Sequence, residues 1–208
     1  MVMYIVGECK IVRLGDVANF IRGVTYKKED SVLFKTVNTI LTADNININN
    51  TLSIKELKLI FLKEEIIIPK DKLLNKHDVF ICTSSGSKNH IGKVAYINEN
   101  IGCFAGGFMG ILRVKNSIIP KFLYFFLTSK FVKNQIRDIS VGANIRNLSS
   151  NINNLIVTLP PLETQQKIVE ELDNIQKGID CLNEAIDSLK KQLNLDSFRF
   201  AHYFDGDV

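Results

Sequence analysis

No two cysteines in this sequence stand close enough to act together. Cys9, Cys82, Cys103 and Cys181 are the four it has, and none forms a CxxC pair. That spacing fits no common zinc pattern, so no metal ligand set is expected. It gives no framework for a disulfide-stapled secreted domain either, and reduced thiols in or near a core are the expectation. Long apolar runs are also missing. The longest candidates, FLYFFL at 122–127 and EEIIIP at 64–69, fall well short of the ~18 residues a membrane span needs. The opening MVMYIVGECK is too short, and too uncharged at its front, for a secretory leader. Together these absences predict a cytoplasmic protein with no membrane partner.

Catalytic signatures are equally scarce. GSKNHIGKV at 86–94 looks at first like a phosphate loop, but five residues separate Gly86 from Gly92 where the P-loop needs four. Val94 follows Lys93 where a magnesium-binding hydroxyl is required. GGFMG at 106–110 lacks the GxGxxG spacing, and His77, His90 and His202 form no HExxH. Ser84 and Ser85 lack the preceding glycine of a nucleophile elbow. The one Pro-Pro pair sits in LPPL, not in the Asn/Asp-Pro-Pro-aromatic tetrad of amino-methyltransferases. The expectation is a protein that is not an enzyme and carries no catalytic residues or cofactor of its own.

What is present is enough material for a folded body: 208 residues, 46% hydrophobic and 23% charged. The charge is unevenly spread. Residues 1–158 hold 21 basic and 12 acidic side chains, a net +9, whereas 159–208 hold 5 and 10, a net −5. A basic body with an acidic C-terminal segment points to a polyanionic partner, although a solvated surface without nucleic acid fits the charge as well. Asparagine is abundant, with 20 copies; it can read adenine edges, but a biased genome composition explains the count too.

Patterning predicts an α+β body. Residues 14–23 read as a short helix or turn ending at Gly23, and 31–41 and 46–62 as strands with loops. VFICTSS at 79–85 and KVAYI at 93–97 read as strands around the loop GSKNHIG. Residues 103–114 read as strand-like, with glycines that permit a bulge or close backbone approach. Pro120 opens a predicted helix over 120–139. A turn-rich stretch, 142–154, and a last strand, 155–159, follow.

Pro161 then opens a far longer pattern. Apolar residues fall at Ile168, Leu172, Ile175, Ile179, Leu182, Ile186, Leu189 and Leu193, in alternating steps of 4 and 3. That is an unbroken heptad seam, with Leu172, Ile179, Ile186 and Leu193 at a, and Ile168, Ile175, Leu182 and Leu189 at d. It rises about 38 Å at ~1.5 Å per residue. So narrow a stripe suits another helix better than a broad core. The plainer alternative is one amphipathic helix lying on its own body.

Four stretches carry a likeness: VRLGDVANFIRG (12–23), KHDVFICTSSGSKNHIGKVAYI (76–97), IPKFLYFFLTSKFVKNQI (119–136) and GANIRNLSSNINNLIVTLPPLETQQKIVEELDNI (142–175). In their order and spacing the chain resembles one half of the specificity subunit of type I restriction–modification systems. Such a half is a target recognition domain followed by a long helix. One departure stands out: the family commonly has Gly-Asp where this chain has His77-Asp78. The resemblance implies a β-rich recognition domain over 1–159, a coiled-coil helix over 160–196 and a tail over 197–208. The tail is read either as an end folded back on the helix or as a docking segment.

The resemblance also implies a job without bond-making chemistry. Such a subunit reads double-stranded DNA and positions methyltransferase subunits, which carry S-adenosylmethionine, together in some systems with a restriction/translocase subunit. A full subunit has two recognition domains joined by antiparallel helices and reads two half-sites. One domain and one helix imply completion by a homodimer through the heptad seam, by a different half-subunit, or by a longer natural chain. A coiled-coil assembly or regulatory protein without DNA readout is the alternative from another class.

Readout needs donors on loops of a basic face. The 84–90 loop offers Ser84, Ser85, Lys88, Asn89 and His90; the 142–147 loop offers Asn144, Arg146 and Asn147; Tyr26, Lys27 and Lys28 form a third group. Arg146 suits guanine or phosphate, and Asn89 or Asn144 suits adenine.

Overall fold

A computed structural model describes residues 9–54, 58–86, 90–141 and 148–204. Within them the chain divides into two units, one ending at Gln166 and the other starting at Lys167.

The first unit is built on three sheets. Strand β1 (Lys10–Arg13) leads through a single helical turn, α1 (Leu14–Val17), into β2 (Ala18–Arg22). Strands β3 (Ser31–Val32), β4 (Asn38–Leu41), β5 (Ile60–Leu62), β6 (Val79–Cys82), β7 (Val94–Tyr96), β8 (Cys103–Ala105) and β9 (Met109–Val114) follow. Helices α2 (Pro120–Thr128) and α3 (Lys130–Val141) precede the last strand, β10 (Ile156–Leu159). One sheet has the order β2-β9-β6-β7, the second β3-β5-β4-β8, and β1 pairs with β10. Between these strands the pairings are antiparallel except β4 with β8. This is the α+β class that the patterning predicts.

The apolar alternation explains where the core lies. Phe80, Ile111, Ala95, Ile97, Leu74, Leu41 and Met109 are buried in one cluster spanning the two larger sheets. A smaller cluster of Val24, Ile40 and Leu62 backs the second sheet.

Several elements differ from their sequence reading. Residues 14–23 are not one helix: α1 ends at Val17 and ANFIR becomes β2, paired along its length with β9. A local helical signal of four residues cannot compete with a five-residue ladder. Among the described residues of 46–62, only Ile60–Leu62 is a strand. The asparagines explain the rest: Asn45 side-chain Oδ1 accepts from Thr42 N at 2.8 Å, and Asn50 takes a left-handed φ of 58°. Such side chains offer the backbone turn partners in place of a ladder. The 103–114 stretch is two strands in two sheets, split at Gly106–Phe108. The predicted 120–139 helix is two helices. Ser129 breaks it with extended backbone (ψ 153°), and its hydroxyl accepts from Val132 N at 3.3 Å, capping α3.

His77 has φ +74°, the left-handed region that favours glycine. A glycine would hold this conformation without strain. Here the histidine ring is tied down, with Nδ1 and the Tyr96 hydroxyl hydrogen-bonded at 2.6 Å. His77→Gly removes the backbone strain but also that bond, and it loosens the unfolded chain. We expect a net change within about 1 kcal/mol by urea denaturation, whereas β-branched His77→Val costs about 2–3 kcal/mol.

The long helix α4 (Leu162–Phe204) has its helical backbone past residue 196, through Phe204. Its first turns belong to the first unit, and Gln165 holds them there. This fully buried amide accepts from Ile119 N at 2.8 Å and donates to Ser117 O at 3.2 Å and Pro160 O at 2.9 Å. One glutamine thus fixes the start of α2 and the start of α4 together, which explains the glutamine that follows LPPL. Further along, Ile175, Ile179, Leu182, Ile186, Leu189 and Leu193 are all exposed, between 44% and 66%. Ile168 and Leu172 are half-buried.

Candidate nucleic-acid interface

The 84–90 and 142–147 segments are far apart in sequence, and the fold joins them at their roots. The first is the long hairpin connection between β6 and β7. Its base is closed by Gly92 N to Cys82 O and Cys82 N to Lys93 O, both 2.9 Å. The second segment lies between α3 and Leu148. Leu148 N donates to Thr83 O at 2.6 Å, and Ser149 Oγ donates to Thr83 Oγ1 at 3.4 Å. Thr83 is fully buried. At the other end of each loop, Gly92 faces α3: an added Cβ would sit 2.8 Å from Ile136 Cδ1. The described residues flanking both segments therefore meet at Thr83 and at the Gly92–Ile136 contact.

The third group arrives by a different route. Val24 N donates to Ala105 O at 2.7 Å and Gly23 N to Met109 O at 3.0 Å, bringing residues 23–25 against the Gly106–Phe108 turn. A Cβ on Gly23 would run into the Gly106 carbonyl oxygen, so this close approach requires glycine. The same turn meets Thr83 from the other side, where Phe108 O accepts from Thr83 N at 3.0 Å. Among the described residues, the ends of the first and third groups, Ser84 and Val24, thus meet this one turn.

Individual residues fare differently. Ser84 and Ser85 are half-buried; Ser84 N donates to Phe108 O at 3.1 Å, and Ser84 O accepts from Cys82 Sγ at 3.4 Å. His90 is half-buried, and its carbonyl accepts from Lys93 N at 3.1 Å. Lys88, Asn89, Asn144, Arg146 and Asn147 lie outside the described residues. Lys27 and Lys28 are exposed beside a short 3-10 turn, where Lys27 N donates to Asp30 Oδ2 at 2.7 Å and Lys27 Nζ lies 3.7 Å from Glu29. Tyr26 packs on the Val24–Ile40–Leu62 cluster, and burial raises its hydroxyl pKa above the ordinary value. Its ring is thus partly committed to the body.

Cys82, at the root of the first loop, has its thiol pushed up to about 11 by burial, which keeps it protonated and unreactive near neutral pH. Among the described residues no group of three or more His, Cys, Asp or Glu is placed to hold a metal, and no helix is long and apolar enough to cross a membrane. Sequence reasoning missed Thr83, Leu148 and Phe108. The only local signal was an aromatic directly after two glycines between two strand-like runs.

The family model described as the type I restriction modification DNA specificity domain matches residues 7–191. The chain belongs to this family. Among curated relatives of this specificity-domain family, it is 31% identical over 184 residues to the Type I restriction enzyme EcoKI specificity subunit of Escherichia coli (strain K12), covering 88% of this chain and 39% of that one. It is 32% identical over 180 residues to the StySPI specificity subunit of Salmonella potsdam, covering 85% and 38%. The chain thus spans about two-fifths of the length of these relatives. Solved structures share the fold. The HsdS subunit from Thermoanaerobacter tengcongensis superposes with a TM-score of 0.60 at 21% identity, covering 85% of this chain and 39% of that one. The type I S subunit from M. genitalium gives 0.59 at 19%, covering 88% and 43%.

Proposed function

We propose that this specificity domain reads DNA sequence through the loops rooted at Thr83, and that its long helix pairs with a second helix so that two readers face two half-sites. It contributes no bond-making step. Methyltransferase subunits carrying S-adenosylmethionine, and a restriction/translocase subunit where one exists, act at the site it selects. The carrying observation is the shared root: Leu148 N on Thr83 O at 2.6 Å joins the residues that flank two donor-rich segments of a basic body. Family membership supports the same reading.

Loop readout predicts a charge effect. Lys88→Glu combined with Arg146→Glu should lower affinity for duplex DNA about 10–100-fold near 0.1 M salt and reduce the salt slope by about 2, as two phosphate contacts are lost. Binding titrations across salt measure both. Unchanged affinity at moderate salt in a folded variant rejects the loop assignment.

Pairing follows from six exposed seam residues on α4. In an antiparallel homodimer, Ile179 meets the partner's Leu182 and Leu172 meets the partner's Leu189. The small g residues Gly178 and Ala185 then face each other across one side, which favours close approach.

A further inference from the structure

The turn between β8 and β9 displays a ring that neither the core nor the loop assignments explain. Phe108 is 70% exposed. Its backbone is nevertheless held on both sides. The carbonyl oxygen accepts from Thr83 N at 3.0 Å, Ser84 N at 3.1 Å and Thr83 Oγ1 at 3.2 Å. Gly106 N donates to Leu41 O at 2.9 Å, and Met109 N closes the turn onto Gly106 O at 2.8 Å. A Cβ on Gly106 would lie 3.0 Å from Leu41 O, and one on Gly107 3.0 Å from Val24 O. Both positions are pressed against neighbouring backbone, while Met109 is buried. Phe108 is thus the one side chain this turn presents outward, and it is presented on a firm base beside Ser84 and Thr25.

A scattered surface phenylalanine needs no explanation. One fixed at the shared root of two polar loops is different, because the backbone contacts set its position before any partner arrives. Thr25 lies against the neighbouring Gly107, and Ser84 N donates to the Phe108 carbonyl, so polar residues flank the turn. A protein-docking centre is normally a cluster of apolar residues. A ring held beside polar residues on a basic body suits the edges of base pairs, where the thymine methyl and base faces supply apolar surface.

We infer that Phe108 is a specificity-determining residue that packs on bases of the recognised duplex. This rests on the DNA-reading role proposed above. The ring contributes to sequence discrimination and not to phosphate attraction, and that separation gives its test. Binding of the full chain is measured across salt on a duplex carrying its recognised sequence and on a scrambled duplex of equal length. Phe108→Ala should weaken the recognised duplex about 10–100-fold, leave the scrambled duplex within about twofold and leave the salt slope unchanged. Phe108→Leu, which keeps apolar bulk, should retain most of the discrimination. Both variants should unfold at the wild-type temperature, because most of the ring is already in water.

Equal loss on both duplexes, a changed salt slope, or no loss at all overturns the assignment. So does an effect confined to assembly with methyltransferase subunits, which would make the ring a protein contact. Wild-type protein that fails to distinguish the two duplexes overturns the DNA-reading role itself. Wild-type discrimination with an inert Phe108→Ala overturns this inference alone.

Discussion

Leu182→Asp is expected to abolish assembly through the long helix. Leu182 occupies a d position at the middle of the seam, 65% exposed in the single chain and flanked by Ile179 and Ile186. In a two-fold pair each substitution occurs twice, and both copies fall in adjacent central layers. Each loses a buried leucine, worth roughly 2–5 kcal/mol, and places a carboxylate where no cation waits. A conservative figure of about 3 kcal/mol per copy gives about 6 kcal/mol per pair, or roughly a 10⁴-fold weaker association. Sedimentation or light scattering reads this as a shift to the monomer mass. The control is Cys181→Asp, one residue away at an exposed c position, which should leave the assembly intact. If Leu182→Asp keeps its native mass, the seam is not intermolecular and the two-reader model is wrong. If both variants fall apart, the helix is being weakened generally and not at its seam.

The second large effect is expected in the body, at Asp78→Ala. This carboxylate is 4% exposed and holds two partners at once. Its Oδ2 caps Asn75 N at 2.8 Å, and its two oxygens take Arg113 Nε at 3.0 Å and Nη2 at 3.1 Å. Arg113, on β9, also donates to Leu73 O. The pair therefore ties the 73–78 turn to the central strand of its sheet. Removing the carboxylate strands a largely covered guanidinium, a change that costs about 3–5 kcal/mol for a buried pair. Arg113 is 26% exposed and regains some water, so about 3 kcal/mol is expected. For a chain of this size that is a melting shift of about 6–12 °C. Asp78→Asn keeps an acceptor for Asn75 N and should lose about half as much. A shift under about 2 °C for Asp78→Ala in thermal unfolding would reject the clamp.

How far the sequence reaches is clear from particular elements. The α+β class was legible because strand alternation and helical spacing are local signals, readable at VFIC or PKFLYFFL without knowing what they touch. The helix break at Ser129 was not foreseen, although a serine among helix formers is a capping signal. The NININN stretch misled because alternating isoleucines mimic a strand, while the asparagines between them build turns. Of the candidate interface, the sequence offered the polar donors and the basic body. It did not offer their common root, nor the partial commitment of Tyr26 to an apolar cluster.

By itself the sequence determined the basic body, the heptad seam and the absence of local catalytic signatures, since charge, period and motif are properties of neighbouring residues. Only the tertiary structure decided that 103–114 divides between two sheets, that Asp78 meets Arg113, and that Gln165 joins two helix starts. It alone set Thr83 between Leu148 and Phe108. These are pairings between residues 25 to 66 positions apart. Nothing in the chain near one partner names the other: a hydrogen bond across the fold is chosen by burial, which leaves a polar group no other way to be satisfied.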